Sequence, residues 1–279
     1  MNFDLYCQEK AAPAGSPAYY ALGQAAAQHR ARLTAVFAFR RELEDTVEHC
    51  SEVAVGQAKL AWWQNELASL AGSDPARVPG HPVALALAAH WPEAGAEVAS
   101  LQAVVQGFEM DLEQARYLDF RGLSAYLDKT YGQATALVAR AAGLVEPAAV
   151  AAAERLGVAL GLAHIAGEMG HYARHGRIYI PVDEMQRFGV TAADVINRRY
   201  SDAFSALMKF QVERARAGIV AARAELRAWR RRQRATLEVQ ASLALAMLDE
   251  IEAERYQVLH QHLALTPLRM AWLAWRAGR

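Results

Sequence analysis

The chain has little cysteine, no net charge, almost no alternating β-branched sequence and no unbroken apolar run of membrane-spanning length. Its two cysteines in 279 residues, Cys7 and Cys50, are too few for a disulfide framework and lack metal-site spacing. That fits a reducing compartment, and the cytoplasm is the expected location. Thirty basic residues balance thirty acidic ones, so net charge gives no drive toward nucleic acid, and no such partner is expected. Charge-dependent function has to come from local clusters. Residues 1–10 carry no basic segment followed by an apolar one, so no secretory signal is expected. The stretch Leu156 to Gly167 lies between Arg155 and Glu168, short of the ~20 residues of a membrane span.

What the chain has in quantity is helix-forming sequence: it is 53% hydrophobic, 22% charged and rich in Ala, Leu, Glu, Arg and Gln. An all-α protein follows. Pro13, Gly15 and Pro17 break the start, and loops are expected over 72–82, 143–147 and 176–181. Leu33, Val36, Phe37, Leu43 and Val47 mark one apolar helix face; Leu237, Leu243, Leu245, Leu248 and Ile251 mark another. No linker-like shift in composition divides the chain, so residues 1–279 read as a single domain.

Three windows carry candidate chemistry. In Arg40 to His49, Glu44 and Glu48 lie four apart on one helix face, with Arg41 three before Glu44. Such a pair can bridge Mg²⁺, whose remaining ligands are water and substrate phosphate; it can equally be a solvated charged face. In Gly157 to Arg174, taken as one apolar helix, His164, Glu168 and Tyr172 form a polar stripe. A buried carboxylate needs a partner, so the stripe is expected to line a cavity. Glu168 and His171 also have the Glu-x-x-His spacing of di-iron bundles, but no convincing second copy exists. Third, the basic turn Arg174 to Pro181 places Arg177 after that stripe, where it can grip phosphate or complement a helix dipole.

Other features have plainer readings. Glu109 and Glu113 share a face and read as a solvated stripe; Arg227, Arg230, Arg231, Arg232 and Arg234 read as an exposed helix end. Leu268, Trp272 and Trp275, with Arg269, Arg276 and Arg279, make an amphipathic segment suited either to docking on the bundle or to peripheral contact with the inner membrane.

Taken in order, several segments resemble the squalene/phytoene synthase family, nearest its bacterial presqualene diphosphate synthase branch. They are Tyr6 to Ala12, Phe37 to Glu42, Lys59 to Trp63, Glu109 to Glu113, Gly176 to Pro181 and Leu265 to Arg269. The resemblance implies an isoprenoid synthase fold, a single helical bundle around a central apolar cavity. It further implies Mg²⁺ held by acidic motifs, isoprenyl diphosphate substrates of the farnesyl class, and head-to-head condensation through an allylic cation. Carried onto this chain, Glu44, Glu48 and Glu168 would be the catalytic metal ligands. Arg41, Lys59 and Arg177 would hold diphosphate, and Ser16, Tyr126, Gly161, His164 and Tyr172 would fall at substrate-contacting positions.

The motifs themselves depart from the family pattern. The first acidic motif has Glu44 and Glu48 where the family has aspartates, each moving its oxygens by ~1 Å. The second has Gly161, His164, Glu168 and Tyr172 where Gln, Asn and two aspartate positions are usual, and Tyr131 replaces a small residue and narrows the cavity. Two expectations follow: a divergent prenyltransferase with a weakened Mg²⁺ site, or an inactive relative working as a binding or assembly factor, as the complex I assembly factor of this fold does.

Overall fold

The computed structural model describes residues 2–50, 52–72 and 78–278. Residues 73–77 of the loop expected over 72–82, and Arg279, lie outside the described residues. Among the described residues there are fifteen α-helices: α1 (Phe3–Ala11), α2 (Pro17–Gly23), α3 (Ala27–Glu48), α4 (Val53–Ala68), α5 (Pro82–His90), α6 (Val98–Glu113), α7 (Phe120–Leu127), α8 (Gln133–Ala141), α9 (Pro147–Gly167), α10 (Met169–Arg174), α11 (Val182–Arg187), α12 (Ala192–Ile196), α13 (Asp202–Leu226), α14 (Arg231–Ala253) and α15 (Pro267–Gly278). A π-helical turn, Asp128–Gly132, joins α7 to α8. The described residues contain no strand, only an isolated parallel bridge between Arg116 and Ile178.

The boundaries follow local chemistry. Asn2, Ser16, Asp119, Thr191 and Ser201 accept hydrogen bonds from the free N–H groups of the first turns of α1, α2, α7, α12 and α13. Proline opens α2, α5 and α9, where its missing N–H costs nothing. The apolar face of α3 buries Leu33, Val36, Leu43 and Val47, and α14 buries Leu237, Leu243, Leu248 and Ile251.

Helix α9 runs through the middle of the bundle, packed against α8, α13, α14 and the π turn. Its 21 residues, with a mean hydropathy of 1.4 over the most apolar stretch, are long and apolar enough to cross a membrane, and 61% of that stretch is buried in the protein. Counting the apolar run from Leu156 underestimates it. The pair Glu154–Arg155 interrupts the sequence but not the helix, because Glu154 accepts from Gln133 (2.6 Å) and Arg155 pairs with Glu225.

The helix expected to continue to Arg174 breaks at Glu168, whose backbone (φ −94°, ψ 11°) ends α9 and starts α10. The chain turns there because Gly170 lies flat against the carbonyl oxygens of Val258 and Leu259, which leave no room for a Cβ.

Candidate functional site

A cavity of about 340 Å³ opens between the C-terminal half of α3, the end of α6, the π turn and α10. From α3, Arg40, Glu44 and Glu48 reach it; from α6, Phe108 and Asp111; from α7 and the π turn, Tyr126 and Tyr131; from α10 and the following loop, His171, Tyr172, His175, Arg177 and Tyr179. The loop after α10 is held in place by backbone pairing with the α6–α7 connection: Ile178 N–H donates to Ala115 O (3.3 Å) and Val182 N–H to Tyr117 O (3.0 Å). That pairing aims Arg177 and Tyr179 back at α6.

Phenol rings form the inner wall. Tyr179 lies 4.6 Å from Tyr172 and 5.5 Å from Tyr126 between ring centroids, and Tyr117 is 5.5 Å from Tyr126. Burial first, and the Asp111 charge second, hold the Tyr126 hydroxyl far above its ordinary pKa, so it stays protonated. The cavity is therefore aromatic within and charged at its mouth.

At the mouth, Glu44 is enclosed by arginines. Arg40 approaches one carboxylate oxygen at 3.2 Å and Arg41 the other at 3.1 Å; Arg41 also reaches Asp45 (2.7 Å) and, more loosely, Glu48 (3.6 Å). Burial alone would raise the Glu44 pKa, but the Arg40 and Arg41 guanidinium groups outweigh it and hold the group ionised below the usual carboxylate range. Glu48, on the exposed rim, is shifted the other way, raised by partial desolvation and then by the Glu44 charge. The Arg40 guanidinium stacks on the Tyr131 ring at 4.3 Å.

Asp111, which the sequence reading passed over between Glu109 and Glu113, is the most buried carboxylate of the site. It accepts from the Tyr179 hydroxyl (2.6 Å) and pairs with Arg177 (2.9 Å), which also donates to the Asp111 backbone carbonyl (2.8 Å). Burial raises its pKa more than Arg177, Tyr179 and Tyr126 lower it. Its signal was in the sequence: it falls three residues after Phe108 and seven after Val104, on the apolar side of α6, whereas Glu109 and Glu113 lie off that side. Arg40, Phe108, His175 and Tyr179 are among the other wall residues absent from the sequence-derived site.

The remaining sequence candidates scatter. Ser16 caps α2 by accepting from Tyr19 N–H (3.2 Å), and Lys59 lies on the exposed face of α4; neither lines the cavity. Gly161 is buried under Tyr131 and Leu127, so a packing contact occupies the place expected to touch substrate. His164 sits between Tyr131 (5.9 Å) and Tyr172 (6.1 Å) and is kept neutral chiefly by burial. Glu168, at the helix break, faces His262 at 3.6 Å and is not part of the cavity wall.

The donors do not fit the Mg²⁺ site that the resemblance implies. Magnesium takes carboxylates that keep oxygens free for it, and both Glu44 oxygens are held by arginine. Among the described residues, the one group of three convergent potential ligands is Asp45, Glu48 and His49, all from the C-terminal end of α3 and including neither Glu44 nor Glu168. Asp45 is further tied to Lys10 (2.7 Å).

This helical bundle around a cavity has the isoprenoid synthase fold. Crystal structures with that fold superpose closely. A dehydrosqualene synthase matches with a TM-score of 0.84 and 21% identity, covering 99% of this chain and 95% of that one. The squalene synthase HpnC from Alicyclobacillus acidocaldarius matches with a TM-score of 0.79 and 19% identity, covering 91% and 94%. The family model for squalene/phytoene synthase matches residues 11–269, and the chain belongs to that family. Among its relatives, a phytoene synthase of Arthrospira platensis is 26% identical over 245 residues, 83% of this chain and 78% of that protein. A chloroplastic phytoene synthase of Zea mays is 29% identical over 238 residues, and the chain spans 54% of its length.

Proposed function

We propose that this protein binds an isoprenyl diphosphate of the farnesyl class in the tyrosine-lined cavity and performs head-to-head condensation weakly. The observation that carries this reading is the closure of Glu44 between Arg40 and Arg41. An entering diphosphate competes with Glu44 for the guanidinium of Arg40 in the cavity wall and of Arg41 beside it, while the phenol rings contact the prenyl chain. Binding is thereby supported without a metal bridge. Efficient ionisation is not: losing metal stabilisation of the leaving diphosphate removes several kcal/mol, and each ~1.4 kcal/mol is tenfold in rate. The cavity is also small, near the lower end of the ~300–1,000 Å³ range of ligand sites, and Tyr131 takes up part of the space. We infer a cytoplasmic location with peripheral contact at the inner membrane; the exposure of Leu268, Trp272 and Trp275 on α15 supports the membrane contact.

Calorimetry with farnesyl diphosphate, in Mg²⁺ and in EDTA, tests the binding; similar affinity in both is expected. In parallel, pyrophosphate release in Mg²⁺ is expected to stay within about tenfold of that of a Glu44→Ala, Glu48→Ala double variant. Mg²⁺-dependent turnover far above that variant overturns the reading. A second reading, an inactive member acting as a binding or assembly factor, is supported by the same neutralised acid. It is selected if farnesyl diphosphate does not bind and a stable protein complex is recovered.

A further inference from the structure

Away from the cavity, the end of α13, the start of α14 and the end of α15 enclose a pocket of about 240 Å³. Its wall carries Arg223, Arg227, Arg231, Arg234 and Arg276, together with Glu238. Glu238 is shared by Arg223 and Arg234 (3.0 Å for the latter), so two guanidinium groups divide one negative charge. The buried Nε of Arg234 has no hydrogen-bond acceptor. Arg231 is aimed at the last carbonyls of α15, Arg276 O and Ala277 O, each at 3.4 Å, and Arg276 stacks over the Trp272 ring at 4.6 Å. Among the described residues no carboxylate other than Glu238 offsets this cluster within the pocket wall, which suits it to a phosphate-class anion.

The adjoining helix supplies a second, independent feature. One side of α15 buries Met270, Leu273, Ala274 and Ala277 with Val239, Leu243 and Ala246 of α14 and Ala21 of α2. The other side exposes Leu268 (85%), Trp272 (51%) and Trp275 (48%), at i, i+4 and i+7. An apolar face bearing two tryptophans beside a basic pocket is the pattern of an interfacial helix. The chain has no net charge, so attraction to an anionic surface has to originate from such a patch.

We propose that this corner docks on an anionic phospholipid membrane, with Leu268, Trp272 and Trp275 entering the interfacial layer and the arginine pocket taking a lipid phosphate headgroup. This rests on the peripheral-membrane reading of α15 and is independent of what the cavity binds. The pocket adds selectivity for negative charge; the tryptophan face supplies insertion.

Co-sedimentation of the full chain with vesicles tests it, using phosphatidylcholine alone and phosphatidylcholine with a third of phosphatidylglycerol. Wild type is expected to bind the anionic vesicles more tightly, with the difference shrinking as salt rises. The Arg227→Gln, Arg231→Gln variant is expected to lose about 10–30-fold in affinity for anionic vesicles and to keep its weak binding to neutral ones. The Trp272→Ser, Trp275→Ser variant is expected to lose both. All four side chains are exposed, so unchanged melting temperatures serve as the folding control. Equal binding to both vesicle types, unaffected by the arginine substitutions, overturns the headgroup pocket while leaving α15 as a membrane contact. Binding to neither type overturns both. Two results would then identify another occupant: a melting temperature raised by millimolar inorganic phosphate marks a free-anion site, and a dimer broken by the tryptophan substitutions marks a second copy of the chain.

Discussion

Asp111 and Arg177 show how a charged residue acquires a structural role before any chemical one. Arg177 lines the cavity, yet its Nη1 is committed to Asp111, so it anchors the loop that carries Tyr179. Asp111→Asn leaves that guanidinium partly stranded; because Arg177 retains 23% exposure, the cost is discounted to about 2 kcal/mol. Urea denaturation checks this, and Asp111→Asn combined with Arg177→Met should recover at least half of the loss. Glu44 and Glu48 were legible in the sequence because helical spacing alone puts them on one face. Their neutralisation was legible only in part: Arg41 lies within reach by spacing, but the role of Arg40 depends on the Tyr131 ring beneath it, 91 positions away in the chain. Asp111 was overlooked because its flanking glutamates dominate the local charge, although its helical position is apolar.

At the scale of elements, α9 and the π turn are matched in shape. The π turn projects Tyr131 across the bundle, and Gly161 leaves the hollow that receives it; a Cβ at Gly161 would lie 2.7 Å from a Leu127 methyl and 2.8 Å from the Tyr131 ring. The large residue at 131 and the small one at 161 are thus complementary in shape. Gly161→Ala is expected to cost about 1–3 kcal/mol through overpacking. Adding Tyr131→Ala should yield a double variant less destabilised than the sum of the singles, measured by thermal unfolding. Helix limits set by proline and glycine were readable: the breaks before α2, α5, α9 and α11 fall where the sequence places them. The π turn and the break at Glu168 were not, because each answers to a distant partner, α9 in one case and the carbonyls of Val258 and Leu259 in the other.

For the molecule as a whole, pH acts through its partly buried histidines. His29, His81, His164 and His171 all have pKa values lowered from 6.5, in each case first by burial. The unfolded chain takes up protons at these positions before the folded one does, so their contribution is complete above pH 6.5 and is lost as pH falls from there through the folded values. The melting temperature should therefore drop as pH is lowered from about 7.5 to about 5.5. His164→Gln should flatten part of that slope; an unchanged slope would mean that His164 is not held neutral. The raised carboxyls of Glu48, Glu97, Asp111 and Glu154 act in the opposite sense, since the folded chain keeps their protons longer, and they become visible at lower pH.

The central position of α9 also has a consequence in time. Helix α9 is synthesised before α13 and α14, the elements that cover it. At translation rates of ~5–20 residues per second, a segment with the length and hydropathy of a membrane anchor emerges on the order of ten seconds before its covering is complete. During that interval only Glu154 and Arg155 distinguish it from an insertion signal. The C-terminal helices α13 and α14 thus cover, once made, a segment that translation exposes before them.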